Sequence, residues 1–153
     1  MFKKILVALD HSRADVALLP RVKELARLTQ AEILLLHVST GWAAQWQKDL
    51  NLRDSQEMRE DRAYLEKVLN DLKADGFVVT ARHSSGKPSE EILKAARTER
   101  CDLIAMTTHG HRLLSDLIYG ETIDKVRHES EIPIFLVRAG AARKAKKRES
   151  ADR

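Results

Sequence analysis

The sequence predicts an α/β fold, one domain in which helices cover both faces of a five-stranded parallel sheet. Two observations predict it. Short, nearly continuous apolar runs recur along the chain, as expected of strands covered on both faces. Between them lie amphipathic segments of helical length, and strands alternating with helices imply a parallel sheet with right-handed crossovers. At 153 residues, 43% apolar and 33% charged, the chain is long enough for one folded domain with a real core.

The first strand is Lys3 to Leu9 (KKILVAL). Asp10, His11 and Ser12 close it, and Ser12 followed by Asp15 matches a capping box that opens a helix. Leu18, Leu19, Val22, Leu25, Ala26 and Leu28 recur at helical spacing. Pro20, inside that pattern, predicts a kink or the point where regular hydrogen bonding begins. Glu32 to Val38 (EILLLHV) is the second strand. Ser39 to Leu52 has no clear period and reads as an irregular excursion carrying Trp42 and Trp46, which either pack locally or form a partner patch.

From about Asp54 to Ala74 the apolar set Met58, Leu65, Val68, Leu69 and Leu72 predicts a long helix, stopped by Gly76. Phe77 to Ala81 is the third strand. Pro88 suits a helix start, and Ile92, Leu93, Ala95 and Ala96 give that helix its buried side. Leu103 to Thr107 and Ile132 to Val137 are strands four and five, with an amphipathic segment, Ile123 to His128, between them.

Charge and cysteine usage narrow the function. Of 27 basic and 23 acidic residues, the last fifteen positions hold six and two, so residues 1–138 carry 21 of each. The net charge of +4 therefore belongs to the tail, residues 139–153, which reads as a mobile basic segment. Nucleic-acid binding by a basic face of the fold loses its compositional support, and only the tail (Lys144 to Arg148) keeps that reading open. One cysteine, Cys101, excludes an internal disulfide and reads as a small buried residue. No run is long enough to span a bilayer or to form a signal-peptide core, so a cytoplasmic protein is expected.

Chemistry concentrates between Met106 and Thr122. A strand, a loop with Gly110 and Gly120, and then a helix form an arrangement that can hold an anion on backbone N–H groups. In parallel sheets ligands bind beyond the C-terminal strand ends, where the strand order reverses. His109 and His111, two residues apart without a convincing third ligand, read as loop residues and not as a metal site. No P-loop, dinucleotide fingerprint or nucleophile elbow is present, and no catalytic residue stands out. A phosphorylated receiver domain would want an acidic pair after strand one and an Asp after strand three; the chain offers Asp10 alone and Arg82-His-Ser-Ser85.

With this layout, residues 3–138 resemble the universal stress protein family. The resemblance rests on Lys3 to Ser12 (KKILVALDHS), Ala31 to Val38 (AEILLLHV), and the Met106–Thr122 stretch followed by Pro133 to Arg138. It implies a universal stress protein domain over residues 1–138, strand order 3-2-1-4-5, and a Rossmann-like pocket for ATP or AMP, with Mg²⁺ if ATP. It also implies a regulatory protein acting by binding, with slow hydrolysis at most. Asp10 and Val38 match positions that meet adenosine, and Ala8 would line the same crevice. Thr108, His109, His111 and Arg112 lie where a loop would cover the phosphates. Asp10 alone also reads as a turn and cap residue.

The ATP-binding members carry Gly-x2-Gly-x9-Gly followed by Ser or Thr. Gly110 and Gly120 keep the second and third glycines; Thr107 replaces the first, and Glu121 replaces the hydroxyl residue, with Thr122 one place later. Thr107 adds a β-branched side chain where glycine would let a ligand approach closely. Glu121 offers only acceptors, and a carboxylate 4 Å from a phosphate oxygen costs about 1 kcal/mol in water and a few at intermediate dielectric. An outward turn of Glu121, or Mg²⁺ bound to it, would remove that cost. Two readings follow, an adenine-nucleotide switch or a nucleotide-independent interaction module with a vestigial pocket. In either, the resemblance implies a homodimer through strand five, Ile134 to Val137, an apolar edge that needs covering; the protein partner it would serve is unknown.

Overall fold

In the computed structural model, residues 1–40, 56–108 and 116–139 are described. His109, Gly110, His111, Arg112, Trp42, Trp46 and the tail from residue 140 onward lie outside the described residues. The elements are β1 (Lys4–Leu9), α1 (Ala14–Thr29), β2 (Glu32–Ser39), α2 (Gln56–Ala74), β3 (Val79–Ser85), α3 (Pro88–Thr98), β4 (Leu103–Thr107), α4 (Asp116–Glu129) and β5 (Ile134–Val137). The sheet is parallel with order β3-β2-β1-β4-β5, as the sequence led us to expect.

Pleat parity sorts β1 into two cores. Ile5, Val7 and Leu9 face one side, with Leu18 and Val22 of α1 and Leu65, Val68 and Leu72 of α2. Leu6 faces the other, with Ile92, Leu93, Ala95 and Ala96 of α3, Ile104 of β4 and Val126 of α4. Alternating side chains point to opposite faces, so a central strand covered twice must be apolar throughout. The starts of β1 and β4 are clasped by polar chemistry: the Asp102 carboxylate accepts the N–H groups of Lys3 at 2.8 Å and Lys4 at 3.0 Å.

Beyond small shifts at other element ends, three features differ from what the sequence predicts. β3 runs from Val79 to Ser85, beyond the expected Phe77–Ala81, because it pairs with β2 through Ser39↔Ser85. As an edge strand it needs few apolar residues, so Arg82 to Ser85 carry no apolar signal. Pro20 lies within α1, which is continuous from Ala14; it does not mark the helix start, and only the Val16 carbonyl loses its donor. α4 begins at Asp116, seven residues before Ile123, so Gly120, Glu121 and Thr122 sit inside the helix.

The expected capping box does not form: the residue capping α1 is Arg13, which makes no side-chain cap bond. The Ser12 hydroxyl accepts the Ala14 N–H at 3.1 Å, while the buried Asp15 carboxylate reaches back past Ser12 to the N–H groups of Asp10 and His11, both at 2.9 Å. Gly76, with φ +87°, ends α2 as expected, and the Phe77 N–H returns to the Leu72 carbonyl at 3.1 Å.

Candidate functional site

The strand order reverses between β1 and β4, so their C-terminal ends splay apart and leave a crevice there. It measures about 400 Å³, open solvent included, and lies on the α3/α4 side. Ala8 and Asp10 reach it from β1, Leu36 and Val38 from β2, Met106 and Thr107 from β4. The pairs Ala8/Asp10 and Leu36/Val38 follow from strand parity, since residues two apart share a face, while Thr107 joins Met106 as the last residue of β4. Pro88 and Ile92, one helical turn apart on α3, and Thr122 of α4 close it.

Of the residues singled out from the sequence, Ala8, Asp10, Val38, Thr107 and Thr122 are thus brought together. Thr108 follows at the end of β4, its N–H bonded to the Val137 carbonyl at 3.0 Å. Glu121 is exposed and Thr122 is buried, at 4% exposure. The hydroxyl one place late therefore takes the inward position, and the carboxylate turns outward, the first of the two ways its cost is removed. A different element of the expectation fails. Within a helix starting at Asp116, the N–H groups of residues 120–122 bond to carbonyls four residues back and are not a free anion cradle.

The polar groups of the crevice are few. Asp10 is 6% exposed; its Oδ2 accepts the Ser12 hydroxyl at 2.7 Å, and Oδ1 has no partner among the described residues. Thr108, the residue after the crevice-lining Thr107, has a buried Oγ1 with no hydrogen-bond partner among the described residues. An orphaned buried hydroxyl is costly unless something else supplies its partner. Leu36, Met106, Pro88 and Ile92, which sequence reasoning did not single out, give the apolar walls. An apolar slot with a few convergent polar groups suits a flat heteroaromatic ring carrying hydrogen-bonding substituents. The chemistry of the lining, apolar walls with Asp10, Thr107 and Thr122, therefore matches the nucleoside half of an adenine nucleotide. Among the described residues no group of three or more His, Cys, Asp or Glu side chains is arranged to hold a metal ion.

A family model described as the universal stress protein family matches residues 1–138. The chain belongs to the universal stress protein family. A universal stress protein of Methanocaldococcus jannaschii is 28% identical, over 90% of this chain and 96% of its own. Another, from Thermus aquaticus, is 31% identical over 90% of this chain and all of its own. The solved structure of the M. jannaschii protein superposes with a TM-score of 0.74 at 30% identity, covering 90% of this chain and 96% of the other. A universal stress protein in complex with cAMP shares the fold at 16% identity and a TM-score of 0.65, over 90% of this chain and 98% of the other. A universal stress protein from Archaeoglobus fulgidus in complex with dAMP does so at 16% and 0.64, over 88% and 97%.

Cys101, weighed from the sequence, and His37, near the end of β2, lie away from the crevice. Cys101 is buried, and burial, reinforced by nearby carboxylates against Lys4, pushes its thiol up to about 11, which suits a packing residue and not a nucleophile. His37 is a satisfied core histidine; it points to the α1/α2 side, where its Nδ1 meets the Leu9 carbonyl at 3.0 Å. No described helix is long and apolar enough to cross a membrane.

Proposed function

We propose that this universal stress protein binds an adenine nucleotide, AMP or ATP, in the crevice between the ends of β1 and β4, and acts as a ligand-dependent binding protein. The observation that carries the reading is the slot walled by Val38, Leu36 and Ile92, with Asp10 and Thr107 on it and, one residue past Thr107, the Thr108 hydroxyl buried without a partner among the described residues. That two structures of this fold hold cAMP and dAMP supports it. Asp10 Oδ1 would accept from the adenine amino or a ribose hydroxyl, and Thr122 from α4 and Thr107 from β4 would border the ligand. The loop with His109, Gly110, His111 and Arg112 would meet the phosphates, with Mg²⁺ accompanying ATP.

One observation favours a second reading, a dimeric interaction module whose pocket is vestigial: the N–H groups of Gly120, Glu121 and Thr122 are committed to helix α4. In both readings the protomer pairs through β5 in the cytoplasm. β5 bonds to β4 on one side, and Leu136 on it is 38% exposed.

Thermal unfolding with and without ligand separates the two readings. At 100 times its dissociation constant a nucleotide adds about 2.7 kcal/mol, a rise of roughly 5–10 °C for a domain of this size. Such a rise with AMP or Mg-ATP is expected. No rise at millimolar concentration of either would leave the vestigial pocket as the function.

A further inference from the structure

The α1/α2 side of the sheet holds a second polar cluster, separate from the crevice. Three histidines and one carboxylate meet at the ends of β1, β2 and β3. Asp61 of α2 is buried; its Oδ1 lies 2.6 Å from His11 Nδ1, and its Oδ2 lies 3.1 Å from His37 Nε2 and accepts the Ser39 hydroxyl at 2.8 Å. His83 Nε2 lies 2.8 Å from the same Ser39 oxygen. His11 itself has φ 55°, a left-handed conformation sparsely used outside glycine.

Donor counting fixes the protons. Ser39 has one hydrogen, and it goes to Asp61, because a carboxylate only accepts. His83 must then donate from Nε2 to Ser39. His37 is the decisive case: Nδ1 faces the Leu9 carbonyl at 3.0 Å and Nε2 faces the Asp61 carboxylate. Both partners are acceptors only, so both contacts hold together only if the ring carries two protons and is an imidazolium. A neutral ring must give up one of them, and a buried Asp61 is left without its counter-charge.

We propose that the proton shared between His37 and Asp61 is a pH-sensitive latch that fastens the N-terminal half of α2 to the ends of β1 and β2. The groups facing His37 come from every described element packed against it. Asp61 faces it from α2 and the Leu9 carbonyl from β1. The His83 ring is stacked from β3 at 5.9 Å between centroids, the His11 ring meets it edge-on at 6.2 Å, and the Asp15 charge acts from α1. Tyr64 of α2 extends the fastening by donating to Asp15 at 2.7 Å and stacking on His11. The His11 side chain, 25% exposed, opens the cluster to solvent, so protons can exchange without global unfolding.

The charges agree in sign. Burial pulls the His37 value down, but the Asp61 hydrogen bond, the Leu9 carbonyl and the carboxylate charges outweigh it and hold the imidazolium above its ordinary 6.5. Burial pushes Asp61 up, and the hydrogen bonds from His37 and His11 outweigh it, leaving the carboxyl well below its usual 3.8. A raised histidine stabilises fully below 6.5, and that stability is lost as pH rises through its folded value. A depressed carboxyl stabilises above 3.8 and is lost as pH falls through its folded value. The latch is therefore closed between those two reference values and opens on the alkaline side.

Histidine side-chain NMR titration of the native protein, paired with amide exchange of residues 56–64, tests this without any nucleotide. Expected are a His37 midpoint above 6.5 and exchange, corrected for intrinsic rate, that is faster at pH 8.5 than at pH 6. Each unit of elevation corresponds to about tenfold in the closing equilibrium. Asp61→Asn should lower the midpoint and flatten the pH dependence. If that variant does not fold, the native titration decides alone. A native midpoint at or below 6.5, pH-independent exchange in α2, or histidine signals that shift on adding EDTA would overturn the latch.

Discussion

At the scale of single residues, Thr108 carries the sharpest conflict between stability and binding. Its hydroxyl is buried without a partner among the described residues, which penalises the free protein. Thr108→Val removes that group, so the free protein should be unchanged or more stable, by up to about 2 kcal/mol in urea denaturation. The same change should weaken AMP by roughly two- to tenfold, the worth of one neutral hydrogen bond. Loss of stability with unchanged affinity would show that the hydroxyl serves the fold and not a ligand. Asp10 and Val38 were legible in the sequence as crevice residues through the resemblance, and Thr122 as a hydroxyl one place after the motif position. Thr108 was legible only as a loop residue, since the lack of a partner is invisible before packing is known. Asp61 was missed although a signal existed: it continues the buried stripe Met58, Leu65, Val68, Leu72 at helical spacing, where an acidic residue demands a buried partner.

At the scale of elements, two glycines should respond in opposite directions. Gly76 ends α2 at φ +87° with open space around a built Cβ, so alanine there meets backbone strain alone, and Gly76→Ala should cost about 1–2 kcal/mol. Gly120 lies within α4, exposed, with nothing near a built Cβ. Gly120→Ala should therefore stabilise, by about 0.5–1 kcal/mol. Urea midpoints check both, and a destabilised Gly120→Ala would mean that α4 starts later than Asp116. Apolar runs revealed the strands wherever both faces are covered, as in β1, β2 and β4. They failed for β3, whose outer half is polar, and for the start of α4, where two glycines spaced as in a phosphate loop outweighed helix periodicity.

At the scale of the whole molecule, a five-stranded sheet leaves two edges, and they differ. β3 ends in polar and charged residues, which discourages further pairing, while β5 is Ile-Phe-Leu-Val with Leu136 partly exposed. Sedimentation at micromolar concentration should show a dimer, and Leu136→Lys should return it to monomer with the fold intact. A monomeric native protein would remove β5 as an interface.

The crevice and the histidine cluster lie on opposite sides of the same strand ends, with Leu9 common to both. The nucleotide reading is tested most directly by titrating the ¹⁵N-labelled native protein with AMP and following amide shifts. Saturable shifts centred on Ala8, Asp10, Val38, Thr107, Thr108 and Thr122 are predicted. No saturable shift at millimolar AMP, or shifts clustered away from the ends of β1 and β4, would contradict it.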